Sequence, residues 1–161
     1  RAFDFEGVPK QRVELIRDGV AQAMVHDSRT AKLSSAQSTG HSGPPPSSWG
    51  PVPVNLVLSP GDASVEEMIA GVTRGLLVTR FHYTNMLDPS AAVLTGMTRD
   101  GTFLIEDGEI VGGVRNLRFT ECLLEALSRV DMIGRDGWLD DYAWAPPLLI
   151  RDFRFSGATE F

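Results

Sequence analysis

A chain of 161 residues with 42% hydrophobic and 22% charged side chains has the length of one domain and the composition of a folded one, which sets aside wholesale disorder. Its formal net charge of −6 argues against a broad phosphate-binding face, because nonspecific nucleic-acid affinity rests on Lys and Arg. No apolar run approaches the roughly 20 residues that span a bilayer, and Cys122, the only cysteine, can form no internal disulfide, so a reducing, cytoplasmic location is expected.

The chain opens on Arg1-Ala2-Phe3-Asp4, with neither Met nor a charged-then-apolar leader, and is expected to be a piece of a longer polypeptide that forms a single domain over residues 1–161. Residues 13–16 and 20–25 flank Arg17-Asp18-Gly19. Asp-Gly tolerates the positive φ of a tight turn, so a first hairpin is predicted, with a helix as its rival. Residues 34–53 are dominated by Ser, Gly and Pro, with Pro44-Pro45-Pro46 at the centre. They read as a long loop, partly polyproline in character, of a length that is either functional or mobile. After a short strand over 54–58, Ser64-Val65-Glu66-Glu67 forms a capping box that starts a helix. Met68, Ile69, Val72 and Leu76 follow at helical spacing, and Gly75 is the expected stop.

Residues 76–81 are predicted as a buried strand entering a polar loop through Asp88-Pro89. Strands follow over 93–96, 102–105 and 110–114, the last two joined by a tight turn at Asp107-Gly108. A second helix over 121–130 takes Thr120 as its cap, aligns Leu123, Leu127 and Val130, and encloses Cys122. Residues 134–147 are turn-rich. Their Trp138, Tyr142 and Trp144 are assigned to core and edge packing, with ligand or partner binding as the alternative. The last strand spans 148–155. Many short strands with two helices and long surface loops define an α+β fold, mainly antiparallel β-sheet.

The histidines are His26, His41 and His82. None belongs to a His-Glu-x-x-His pair, which zinc peptidases use because i and i+4 imidazoles share a helix face, so no complete catalytic zinc site is expected in this chain. His41 lies in Ser38-Thr39-Gly40-His41-Ser42-Gly43, where small neighbours admit a partner to the backbone; its plainer reading is a solvated loop histidine. His82 and Asn85, in His82-Tyr83-Thr84-Asn85, start the predicted loop and either carry function or bond backbone groups in a turn. Neither a nucleotide cradle nor a nucleophile elbow occurs. Glu66-Glu67 and Asp140-Asp141 are read as solvated surface.

A set of short elements then falls in a definite order: Phe5-Glu6-Gly7-Val8-Pro9, Arg17-Asp18-Gly19-Val20, Ser38-Thr39-Gly40-His41, Asn55-Leu56, Ser59-Pro60-Gly61, Thr95-Gly96, Leu104-Ile105-Glu106-Asp107-Gly108-Glu109-Ile110 and Phe155-Ser156-Gly157. In order and spacing they resemble the C-terminal region of the TldD/PmbA proteins, a family assigned as zinc metallopeptidases and also known as modulators of DNA gyrase. The resemblance implies proteolysis by a longer polypeptide whose histidine metal motif lies upstream, so zinc would belong to the full assembly rather than to this chain. Catalytic members place a cysteine ligand between the last helix and the final strand. Residues 134–147 have none, which makes the chain more similar to the PmbA-like non-catalytic partner. The resemblance further implies an oligomer in which this lobe meets a homologous TldD/PmbA-type subunit and helps bind an extended peptide substrate, with no direct nucleic acid and no membrane as partner. Thr95 and Gly96 match the family motif; with His82 and Asn85 they are the candidate peptide-binding residues, and no catalytic residue is assigned.

Overall fold

The computed structural model describes residues 2–45, 50–140 and 142–158. It is an α+β chain in which antiparallel pairing dominates and the described helices are short. It is organised as two compact units, Arg1–Val57 with Leu139–Trp144 and Leu58–Trp138 with Ala145–Phe161.

Polar groups do most of the holding in the first unit. The expected hairpin forms from two-residue strands, β1 (Ile16–Arg17) and β2 (Val20–Ala21), with Asp18 and Gly19 at φ 51° and 76°; the helical alternative falls. A helix that the sequence did not announce, α1 (Ser28–Leu33), starts at a capping box. Asp27 accepts from the Thr30 amide at 2.6 Å, and Thr30 Oγ1 accepts from the Asp27 amide at 3.1 Å. The described part of the 34–53 segment has neither helix nor strand, but it is not a solvated loop throughout. The Thr39 amide donates to the His26 carbonyl and the Gln11 amide to the Thr39 carbonyl, each at 3.0 Å. The Asp4 carboxylate accepts from the Glu6, Val8 and Ser42 amides at 2.9 Å.

His41 is only 6% exposed, with Nδ1 2.9 Å from the Thr39 hydroxyl, which corrects the solvated-histidine reading. The small neighbours do admit a close approach, but the backbone that takes it is the chain's own Pro9, against Gly40. The strand predicted over 54–58 shortens to β3 (Leu56–Val57), which runs parallel to β12 (Ala143–Ala145) beside β11 (Trp138–Asp140). Trp138 is 79% exposed and Tyr142 also faces solvent, so neither packs in a core as expected; Trp144 is half-buried. Pro46 and Asp141 lie outside the described residues.

In the second unit the Ser64 capping box is formed: Ser64 Oγ accepts from the Glu67 amide at 3.0 Å, and Glu67 Oε2 accepts from the Ser64 amide at 2.7 Å. The helix it starts, α2 (Val65–Ala70), stops at Gly71 rather than Gly75. The reason is tertiary. The next carbonyls, of Val72 and Thr73, accept from the Gly108 and Asp107 amides at 2.9 and 2.8 Å, and Gly75 pairs with Ile105 in β4 (Arg74–Val78). β4 lies against β7 (Thr102–Glu106), which turns through Asp107-Gly108 into β8 (Glu109–Gly113) as predicted, at φ 47° and 84°.

A four-stranded sheet has the order β14 (Phe155–Ala158), β9 (Leu117–Cys122), β6 (Val93–Thr98), β5 (Phe81–Asp88). Residues 82–88, expected as a loop, are therefore strand. His82, Asn85, Met86 and Asp88 pair with β6, and two bulges, at Tyr83-Thr84 and at Leu87, absorb the irregular spacing. β4 and β5 together face β7 and β6 as one ribbon, bent at Thr79-Arg80 opposite Arg99-Asp100-Gly101. At the bend the Thr79 amide donates to the Gly101 carbonyl at 3.1 Å and the Arg99 amide to the Arg80 carbonyl at 2.9 Å.

The second predicted helix is shorter than expected, α3 (Leu123–Ser128). Thr120, Glu121 and Cys122 are held in β9 by pairing with Thr95, Leu94 and Val93, so Thr120 is no cap and Cys122 stands at the helix entrance, outside the helix. The predicted final strand is cut at Arg151-Asp152, where Asp152 takes φ 51°: β13 (Leu148–Ile150) pairs with β10 (Val130–Ile133), and β14 returns to β9. The apolar core gathers Met68, Ile105, Phe119 and Ala126. Buried Glu121 meets Arg129 at 2.6 Å and accepts the Arg154 amide at 3.0 Å.

Two outcomes follow from this packing. A methyl group on Gly108 would sit 2.9 Å from the Ala70 carbonyl oxygen, at φ +84°. Gly108→Val is therefore expected to cost at least about 1 kcal/mol, read as a lower denaturant midpoint with an unchanged slope. The second concerns acid. Burial, then the charge of Lys10, lowers the His41 pKa from its ordinary 6.5, so the folded state holds His41 neutral. Burial works against the Asp4 carboxylate, but the Ser42, Val8 and Glu6 amides and Lys10 outweigh it and lower its pKa, while the Thr30 amide and hydroxyl lower that of Asp27, both from 3.8. Each of these groups binds its proton more readily when unfolded, so stability falls as pH falls. A first loss is expected below pH 6.5 from His41 and a second below pH 3.8 from the two carboxylates. Denaturant titrations across pH should show the first limb flattened in His41→Gln and the second retained.

Candidate functional site

Strand periodicity divides the four predicted site residues between two faces of the sheet. In β6, Thr95 and Met97 point one way and Gly96 and Thr98 the other. The register joins His82, Met97 and Arg118 in one row and Asn85, Thr95 and Thr120 in the next. Directly paired residues share a face, so His82, Asn85 and Thr95 come together while Gly96 is turned away.

Gly96 belongs to the packing of the opposite face. A methyl group there would lie 2.7 Å from the Phe119 ring and 3.2 Å from Thr84 Oγ1. Phe119 in turn meets Phe81 edge-on with centroids 4.8 Å apart and Phe153 at 5.5 Å, and Phe153 reaches Phe155 at 5.2 Å. The small residue lets one ring lie across the neighbouring strand. Thr95 is also engaged internally: its hydroxyl donates to the Phe119 carbonyl at 2.8 Å and lies 3.3 Å from that of Thr120. The Asn85 side chain donates through Nδ2 to the Tyr83 carbonyl at 2.8 Å, which braces the bulge at residues 83–84.

On the face of His82 an open groove of about 750 Å³ is lined by His82, Tyr83, Met97, Arg99, Asp100, Asn116 and Arg118. The sequence named Tyr83 only within the polar group His82-Tyr83-Thr84-Asn85 and did not single out Arg99 or Arg118; alternation in β6 and β9 carries the signal for the two arginines, once the register is known. Tyr83 is bulky yet has φ 55°, is 75% exposed, and lies 6.0 Å from the His82 ring. A large side chain at positive φ is a strained arrangement that the surrounding bulge has to hold. β5 is the last strand of its sheet, so among the described residues the outer row of its backbone groups has no strand beside it.

Among the described residues no group of three or more His, Cys, Asp or Glu comes together, and the Cys122 thiol donates to the Ala91 carbonyl at 3.3 Å.

What these observations define is a sheet-built module with an open strand edge beside a groove, carrying no metal-ligand cluster among its described residues. Residues 1–157 match the model of the PmbA/TldA metallopeptidase C-terminal domain, and the chain belongs to that family. It is 28% identical over 140 residues to a metalloprotease TldD homolog of Buchnera aphidicola subsp. Schizaphis graminum, a match covering 86% of this chain and 29% of the relative. Among solved structures, TldE from Thermococcus kodakarensis superposes with a TM-score of 0.82 at 24% identity, over 98% of this chain and 36% of that one. A candidate modulator of a DNA gyrase from Thermotoga maritima superposes with a TM-score of 0.81 at 27% identity, over 93% and 34%. The chain thus spans about three-tenths of the length of the curated relative.

If Gly96 serves packing, Gly96→Ala lowers stability by about 1–3 kcal/mol through overpacking against Phe119. Phe119→Leu in the same chain should return part of that loss. A double-mutant cycle of denaturation midpoints measures the coupling; strict additivity would detach Gly96 from the ring.

Proposed function

We propose that the chain is the C-terminal domain of a TldD/PmbA-type metallopeptidase and that it adds a peptide-binding surface and a subunit contact to a cytoplasmic proteolytic assembly. The observation that carries the reading is the open edge of β5 beside the groove. Extended peptides add to such an edge through main-chain hydrogen bonds, which supply affinity without reading one sequence. Asn85 and Thr95 brace the strand, and His82 and Tyr83 face the peptide. Ile110 and Val111, large apolar side chains exposed on β8, support contact with a homologous subunit.

A second reading is a PmbA-like scaffold subunit without its own metal. The absence of cysteine from residues 134–147 and of a ligand cluster among the described residues favours it. Under this reading zinc and the catalytic water belong to the partner. A His-Glu-x-x-x-His motif in the polypeptide upstream would decide for the first reading, its absence for the second.

Strand addition is tested with fluorescent, capped hexapeptides and their alternately N-methylated twins. Methylation removes amide donors and keeps the side chains, so binding measured by anisotropy should weaken at least about tenfold, the loss of one or two net hydrogen bonds. Equal affinity of the twins, or no binding by either, would sink the proposal.

A further inference from the structure

We propose that the groove beside β5 is a carboxylate seat, so that the preferred ligand is an acidic peptide. This deepens the peptide-binding reading and rests on it. The chain is acidic overall, with a net charge of −6, yet this face collects arginines. Arg99 and Arg118 line the groove, and Asp100 is the one acidic side chain among its described lining residues.

Asp100 is already engaged by Arg80 at 2.7 Å, outside the groove, and reaches Arg99 only at 3.8 Å. Arg99 is thus left with a long, exposed contact of the kind worth little. Arg118 makes no ion pair among the described residues. Two guanidinium groups therefore face the groove with most of their donors open to a ligand, and a planar guanidinium matches a carboxylate in two parallel hydrogen bonds.

The register supplies the reach. His82, Met97 and Arg118 form one row across the sheet. A peptide strand added beside β5 would hold its groove-side residues about three strand spacings, roughly 14 Å between Cα atoms, from Arg118. A glutamate and an arginine extended toward each other over Met97 close that span. Phosphate polymers fit less well, because Asp100 and the overall negative charge repel a dense row of phosphates more than they repel one carboxylate.

The probes are a capped hexapeptide with one central glutamate and its glutamine twin, followed by anisotropy at low salt. The glutamate peptide should bind about tenfold more tightly, as one charge-assisted pair gives. Arg118→Gln should abolish that preference and Arg99→Gln reduce it, each by weakening the glutamate peptide more than the glutamine peptide, with melting midpoints unchanged. Equal binding of the twins to the unaltered protein overturns the carboxylate seat and leaves strand addition standing. Failure of both to bind overturns both proposals. Preference surviving in both arginine variants moves the seat elsewhere. Displacement of the glutamate peptide by a 12-nucleotide single strand at lower concentration than by acetate reassigns the groove to phosphate, and so also overturns the proposal.

Discussion

The second unit depends on one contact, the Phe119 ring laid across β6 at Gly96. Any side chain at that position would lift the ring, and with it the aromatic group that Phe119 forms with Phe81, Phe153 and Phe155. Those rings come from β5, β9, β14 and the segment before β14, so one packing event draws together three of the sheet's four strands and crosses the fourth. Aromatic pairs contribute beyond their buried area, which matters where few other apolar side chains are fully buried. The opposite face is free of this demand and carries the groove.

The two units use different physics. The second has an apolar centre reinforced by Glu121, whose buried carboxylate meets Arg129 and the Arg154 amide; removing either partner of such a pair leaves an expensive charge. The first buries Asp4, Asp27 and His41 instead, and backbone amides satisfy the acids. A fold built on satisfied polar groups is specific in geometry and sensitive to protonation, because each buried group has one charge state that suits it.

Local chemistry was legible in the sequence, and pairing was not. The Ser64 capping box and the turns at Asp18-Gly19 and Asp107-Gly108 rest on residues close in the chain, and each formed as expected. Helix ends failed where distant partners intervened: Gly75 pairs with Ile105, and Thr120 to Cys122 pair with β6, although their local pattern is helical. Residues 82–88 looked like loop because their polar side chains sit on an exposed edge, where alternation with a buried face is lost. The candidate site was half visible. His82, Asn85 and Thr95 do share a face, but the motif that named Gly96 marks packing, and the arginines emerge only from the register across three strands.

The groove has a floor and a rim with separate obligations. Met97 and Arg118 stand on the inner strands β6 and β9, which are paired on both sides, whereas His82 and Tyr83 stand on β5, whose outer side is open and whose ladder is broken by bulges. A substitution in the floor disturbs three strands at once; one in the rim disturbs only a segment already irregular. Divergence among relatives can therefore accumulate at positions 82–87 and redraw ligand preference while the sheet beneath persists, which makes the edge strand the evolvable half of the surface.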